Sequence, residues 1–429
     1  VKAANISLLH IFEGKPYVVN LIDTPGHVDF TGFVTRALRA IDGAICVVDA
    51  VEEVMVQTET VTRQALQERV RPVLFINKVD RLIRELKLSP KEIQEKIVRI
   101  IRQYNSLIDA YAEPEFRDKW KVSPANETVA FGSALHGWGL TVPIAEEKGI
   151  RFTEIVEAYR EERIDELKKE IPVHRAILDM VARNLPNPIE AQKYRLPAIW
   201  TGDLNSEIGK AMVNCDDDGP LVMCINRVDV DPHAGVVATG RVFSGTVHEG
   251  DMVYLISTRK EYRIQSVSMY MGPHREVVKA IPAGNIAALL GIPDARAGAT
   301  LVDTAHKNME PFERIRYVSE PVVTMAVEPK RPQDLPKLID ALRRLTIQDP
   351  TLVYHVNPET GETLLSGMGE LHLEIALHFL QKEGLEVSTS PPIVVYRETV
   401  TGEGVTAMAK SPNKHNKFWL KVEPLEPEV

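Results

Sequence analysis

Short apolar runs alternate with amphipathic stretches along the first 195 residues. Tyr17–Ile22, Ala44–Val48, Val73–Ile76 and Thr128–Phe131 are rich in β-formers and bounded by polar or glycine positions, which predicts buried parallel strands. Between the first two runs, Phe30, Phe33, Val34, Ala37, Leu38 and Ile41 recur at three- and four-residue spacing and predict a helix, and Val56–Val70 predicts another. Strand and helix in alternation predict a doubly wound parallel sheet. Lys91–Glu170 is charged and helical. The prolines of Asn184–Pro188 predict a linker. From Asp203 to Thr304 the pattern shortens to Leu221–Val228, Gly240–Gly245, Met252–Ile256 and Ile286–Leu290, which predicts a small β-barrel.

The pattern changes once more after Glu320. A strand at Pro321–Val327 precedes a helix capped by Asp334, with Leu335, Leu338, Ile339, Leu342 and Leu345 on one face. Strands Thr351–Val356 and Glu362–Leu365 follow, then a helix Gly369–Glu383 closed by Gly384 and a strand Leu385–Ser388. This is the β-α-β-β-α-β order of a ferredoxin-like unit. The predicted fold is therefore multidomain: α/β at 1–195, a β-barrel at 196–310, a ferredoxin-like α+β unit at 318–390, and the start of a further α+β unit at 391–429.

Composition narrows the class. The 429 residues carry 51 basic and 60 acidic side chains, a net charge of −9, with 44% hydrophobic and 26% charged residues. This describes a folded globular chain, not a disordered one. No apolar run approaches the ~18 residues that span a membrane. Three scattered cysteines, Cys46, Cys215 and Cys224, fit neither a disulfide framework nor a zinc cluster and point to a reducing cytoplasm. The acidic balance weighs against nonspecific coating of nucleic acid. Residue 1 is Val, and the chain is expected to be a piece of something longer.

Three strings stand at the ends of predicted strands. Asp23-Thr24-Pro25-Gly26-His27 lies between a strand and a helix, where ligands of open α/β sheets bind. There an Asp can hold Mg²⁺ through its water shell and a Gly lets a backbone N–H approach a phosphate. The same string also reads as a plain turn with Asp as N-cap. Asn77-Lys78-Val79-Asp80 follows the strand Val73–Ile76. A carboxylate there can accept both N1–H and N2–H₂ of guanine, a donor pair that adenine lacks. The Asn amide can bond the base or steady a neighbouring loop, and the Lys stem can lie over the ring. Gly132-Ser133-Ala134 is weak alone; its place after these two gives it weight.

With these strings the chain resembles the translation GTPases. Asn20–Phe30, with His27 after the glycine, is similar to their ribosome-triggered branch, and Gln57-Thr58-Glu59-Thr60 with Arg63-Gln64-Ala65 resembles the translocase members. Gly240–Gly245 with Gly250-Asp251 resembles the second-domain barrel, and Ser366-Gly367-Met368-Gly369-Glu370-Leu371-His372-Leu373 the third-domain signature. Ser411–Asn416 resembles the fourth domain of archaeal and eukaryotic translocases, and the shortness of the Lys91–Glu170 region looks archaeal. The resemblance implies GTP/GDP and Mg²⁺ as ligands. It places Asp23 in the magnesium second shell, Gly26 N–H on the γ-phosphate and His27 on the attacking water, with Thr24 and Pro25 in the same loop. It gives Asn77 and Asp80 the guanine, Lys78 a stacking role beside Val79, and Ser133 and Ala134 the base carbonyl. It implies a cytoplasmic factor, monomeric off the ribosome, whose partners are the ribosome and the tRNA–mRNA complex, with no membrane.

The chain also departs from that family. No G-x-x-x-x-G-K-[ST] string is present: Leu9 and Leu204 stand where Gly14-Lys15 and Gly209-Lys210 would need glycine. The phosphate loop, switch I and the last domains are expected to lie outside this sequence, so the chain alone is expected to bind GTP poorly and to leave it intact. Asn226-Arg227-Val228-Asp229 imitates the guanine string and reads as a strand end. Asp216–Asp218 reads as a solvated turn, and Leu371, Ile375 and Phe379 as core. Lys410, Lys414, His415 and Lys417 form a candidate RNA contact. A different reading of the same domains is a non-catalytic ribosome- or RNP-binding scaffold; His27 and an intact Asn77–Asp80 favour the GTPase.

Overall fold

The computed structural model describes residues 3–231, 234–272, 274–317, 320–357, 361–394, 400–411 and 416–424. A four-stranded sheet runs Gly43–Asp49, Arg71–Asn77, Val129–Ser133, Trp138–Leu140 in space, the first three parallel and the last antiparallel. Its central strand Arg71–Asn77 is buried from Pro72 to Ile76, as a strand covered on both faces must be. The register pairs Asp49 with Asn77 and Ile76 with Phe131, so the carboxyl ends of all three parallel strands open on one side. Helices cover the faces. The longest, Pro90–Tyr111, starts on a capping box in which Ser89 Oγ accepts Glu92 N–H and Ser89 N–H donates to Glu92.

The run Tyr17–Ile22 departs from expectation. It lies in strand Lys15–Asp23, zipped antiparallel onto Ala4–Phe12 from Phe12↔Lys15 to Ala4↔Asp23. Its turn residues Glu13 and Gly14 both have positive φ, +49° and +75°, as tight hairpin turns require. The hairpin joins the barrel sheet through Ile6↔Met271, not the parallel sheet. The physical reason shows in its burial, which alternates along Ala4–Phe12 where a parallel core strand would be continuously covered. Asn20, in the middle of the apolar run, turns its amide to Ser7 Oγ and Asn285. Gly43–Asp49 is thereby left at the sheet edge, with Val47 56% exposed.

Strands between Val222 and Asp303 form the rest of the hairpin's ten-stranded sheet, and Met223, Val242, Val253, Val267, Ala287 and Leu301 meet in one core. Gly240 is a glycine by close approach, since a Cβ would stand 2.1 Å from the Cys224 carbonyl oxygen across the ladder. Asn226 is not at a strand end: it sits inside Val222–Asp231 at a register shift between Ile225 and Arg227, a β-bulge. Asn184–Pro188 separates two helices, Val173–Asn184 and Pro188–Ile199. The second of these, with Glu207–Asn214, packs Leu196, Ile199 and Met212 on the barrel residues Val222 and Phe243. Long helices against the barrel were not foreseen.

The last well-formed unit has strands Val323–Pro329, Val353–Val356, Thr363–Gly367 and Val387–Thr389 in spatial order second, third, first, fourth, with helices Leu335–Gln348 and Glu370–Lys382. This is the ferredoxin-like order expected. Asp334 holds the N-cap position without accepting an amide; its carboxylate takes Lys337 instead. On Glu370–Lys382 the buried face is His372, Leu373, Ala376 and Leu380, not Leu371, which is 36% exposed; Ile375 instead packs toward Phe30 and Phe33.

Candidate functional site

The turn after Arg71–Asn77 is built by its own polar groups. Lys78 takes the left-handed conformation, φ +62° and ψ +33°, which ends the strand and starts helix Val79–Arg84 at once. A non-glycine residue pays for that conformation and commonly does so at functional sites. Asn77 Oδ1 accepts Lys78 N–H at 2.8 Å and Ala134 N–H at 2.9 Å, stapling this turn to the loop after Val129–Ser133. Asn77 Oδ1 thus steadies the neighbouring loop. Ser133 is fully buried, its Oγ accepting His136 N–H at 3.1 Å, and Gly132 is required because a Cβ would lie 2.3 Å from the Trp138 carbonyl.

Asp80 is 6% exposed, and its Oδ1 is buried with no hydrogen-bond partner. Its Oδ2 lies 3.9 Å from His136 Nδ1, and that ring nitrogen also meets the Tyr159 hydroxyl at 2.8 Å. Burial pushes the Tyr159 phenol up to about 12, so it stays protonated, and it accepts Trp138 Nε1–H at 2.7 Å. Lys78 extends its ammonium to Asp49, 2.8 Å away, at the end of the neighbouring strand. Burial alone would raise the Asp49 carboxyl; Lys78 and the amides of Val51 and Glu52 outweigh it and hold it below the usual range. Sequence reasoning missed Asp49, although its place at the carboxyl end of a parallel strand is the signal that marked the others.

Asp23 to His27 lie elsewhere. Asp23 is exposed and pairs with Ala4, and Thr24 and Pro25 are half-buried. Gly26 has open space where a Cβ would stand, and its φ is not left-handed. Neither packing nor conformation demands a glycine at 26. His27 accepts Asp29 N–H on Nδ1 at 3.2 Å, which places the neutral ring's proton on Nε2, and the side chain is 50% exposed. No hydrogen bond or ion pair among the described residues links Asp23–His27 to Asn77–Asp80 or Asp49.

The base half of a guanine nucleotide fits this chain: a buried carboxylate oxygen without a partner is the acceptor that guanine's N–H groups would satisfy. Of the residues expected at the metal, the chain offers Asp23, and among the described residues no group of three or more His, Cys, Asp or Glu is placed to hold a metal ion. Lys410 and Lys417 face each other across the hairpin Ala407–Lys410/Lys417–Leu420, while Lys414 and His415 lie outside the described residues. Among the described residues no helix is long and apolar enough to cross a membrane.

Three family models match in the order of the units: "Elongation factor Tu GTP binding domain" over residues 1–187, "Elongation factor Tu domain 2" over 235–302 and "Elongation Factor G, domain III" over 318–391. Proteins called elongation factor 2 are similar over the full length. That of Aeropyrum pernix is 63% identical over 100% of this chain, that of Korarchaeum cryptofilum 61% over 100%, and that of Staphylothermus marinus 61% over 99%. The chain spans 58–59% of the length of these relatives. With similarity running end to end and three domain models in the same order, this chain belongs to the elongation factor 2 family.

Proposed function

We propose that this chain is part of a GTP-dependent ribosomal translocase, a cytoplasmic elongation factor that moves tRNA and mRNA, with GTP-binding, barrel and ferredoxin-like units at 1–195, 196–310 and 318–390 and a fourth beginning at 391. The observation that carries the reading is the unpaired, buried Oδ1 of Asp80 beside the Asn77–Ala134 staple. A buried carboxylate oxygen left without a donor costs folding energy unless a ligand supplies one. Guanine supplies two donors on one edge. Lys78, drawn up by Asp49, covers the face of that base, and Ser133 and Ala134 border its carbonyl edge.

Hydrolysis belongs to the other loop. With Nδ1 engaged by Asp29 N–H, His27 presents Nε2 to solvent and can orient a water toward the γ-phosphate, a positioning and electrostatic role. Gly26, free of any packing demand, lets its N–H reach a phosphate oxygen. Mg²⁺, when bound, would neutralise phosphate charge, with Asp23 as the residue offered to its water shell. No hydrogen bond or ion pair among the described residues joins the two loops, and the reading assigns GTP turnover to the intact protein and little or none to these 429 residues. Lys410, Lys414, His415 and Lys417 are the proposed RNA-facing patch.

GTP turnover by the intact protein, with and without ribosomes, tests this. Strong stimulation of GTP but not ATP hydrolysis is expected. A protein that binds ribosomes yet turns over GTP no faster with them would be the scaffold instead.

A further inference from the structure

Asp29, two residues beyond His27, reaches out of its own unit. It is 7% exposed, and its Oδ2 accepts His372 N–H at 3.2 Å in the first turn of helix Glu370–Lys382. The N-cap of that helix is Gly369, which makes no side-chain cap. Asp29 supplies the missing acceptor from the other unit, a carboxylate at the positive end of a helix. Gly369 is extended, with φ −168°, so conformation does not require glycine there. Space does: a Cβ would stand 2.4–2.5 Å from the Asp29 carboxylate atoms.

His372 closes the socket. Its Nδ1 accepts Met368 N–H at 3.2 Å, which leaves the proton on Nε2, and Nε2–H donates to Asp349 at 3.1 Å. The Phe30 ring meets the His372 ring edge-on, centroids 5.4 Å apart. At the other end Asp29 N–H fixes His27 Nδ1. Contacts therefore run without a break from Asp349 through His372 and Asp29 to the ring of His27.

We propose that Gly369–His372 is a socket for the Asp29 carboxylate, and that seating Asp29 there positions His27 for GTP hydrolysis. The inference rests on the GTPase reading given to His27 above. Asp29, Gly369 and His372 act here as positioning residues. With the socket filled, His27 keeps one tautomer and one ring orientation. With it empty, the ring is loose, while the guanine site, built on other strands, is untouched.

The test compares Gly369→Ala, Asp29→Ala, the double variant and His27→Ala in the intact protein. Ribosome-stimulated kcat, KM for GTP, the Kd of a fluorescent GTP analogue and thermal melting are measured for each. Gly369→Ala and Asp29→Ala are each expected to lower kcat by about 10–100-fold, with KM and Kd unchanged to within about twofold. The double variant removes the clash between the new methyl and the carboxylate, so it regains melting temperature over Gly369→Ala while its kcat stays low; it also decides the matter if Gly369→Ala does not fold. Adding Asp29→Ala to His27→Ala is expected to cost nothing further. Wild-type kcat in Asp29→Ala and the double variant, with His27→Ala slow, overturns the socket alone, as does a kcat that recovers with stability in the double variant. A His27→Ala protein as fast as wild type overturns the GTPase reading beneath it.

Discussion

At position 80 a carboxylate is drawn out of water at the head of a short helix and left with one oxygen unpaired. Most buried acceptors are satisfied within the fold, and a buried carboxylate oxygen left without a donor can take one from a ligand. The guanine edge provides N1–H and N2–H₂; xanthine keeps N1–H but has a carbonyl at position 2. Asp80→Asn offers that carbonyl an N–H and clashes with guanine's amine. We expect it to weaken GTP binding by about 100-fold or more and to confer binding of xanthosine triphosphate, measured by equilibrium titration of the intact protein. An Asp80→Asn protein that keeps GTP affinity would remove the assignment. The strings Asn77–Asp80 and Ser133-Ala134 were legible because each follows a buried strand, where ligand sites of such sheets gather. Asp49 and Asp29 were not. The role of Asp49 appears only when the register places it opposite Asn77, and that of Asp29 only when a helix 343 residues away in sequence arrives beside it.

Among elements, periodicity located the helices and the ferredoxin-like order, because a 3.6-residue stripe is a local property. It misplaced Tyr17–Ile22, since an apolar run does not say which sheet it joins. It also misread the face of Glu370–Lys382, where Leu371 is exposed and His372 buried, because burial there is decided by another unit. The helices Leu335–Gln348 and Glu370–Lys382 are tied by Asp349 and His372. Burial raises the Asp349 carboxyl, and the His372 hydrogen bond, Arg36 and Thr351 more than reverse it and hold it below the usual carboxylate range when folded. A carboxyl with a depressed folded pKa stabilises the fold above its unfolded value and loses that contribution as pH falls through the folded one. The tie is therefore expected to be constant above about pH 5 and to fail progressively below about pH 4. Urea unfolding of wild type and Asp349→Asn between pH 3 and pH 6 checks this. The variant is expected to lose less stability on acidification than wild type; parallel acid profiles would contradict it.

On the scale of the whole molecule, buried arginines join the units through backbone carbonyls. Arg241 of the barrel, 1% exposed, donates to the Ala40 carbonyl at 3.1 Å, to Asp42 at 2.6 Å and to Gln192 at 2.8 Å. Arg39 Nη1 donates to the Glu313 carbonyl at 2.7 Å and Arg36 Nη1 to the Gln348 carbonyl at 2.9 Å. An arginine keeps its charge when buried and brings several donors in a fixed fork, which suits it to loop carbonyls at a junction. None of this was visible in the net charge of −9, which had weighed against nucleic acid. That sum averages over faces, whereas binding is decided by local fields. The central claim concerns one side chain in this assembled frame, His27 held by Asp29 and presented to solvent. Its direct test is single-turnover GTP hydrolysis on ribosomes by the intact protein, wild type against His27→Ala, with GTP affinity measured alongside. The account predicts a rate roughly 100-fold lower or worse at unchanged affinity; equal rates in the two proteins would contradict it.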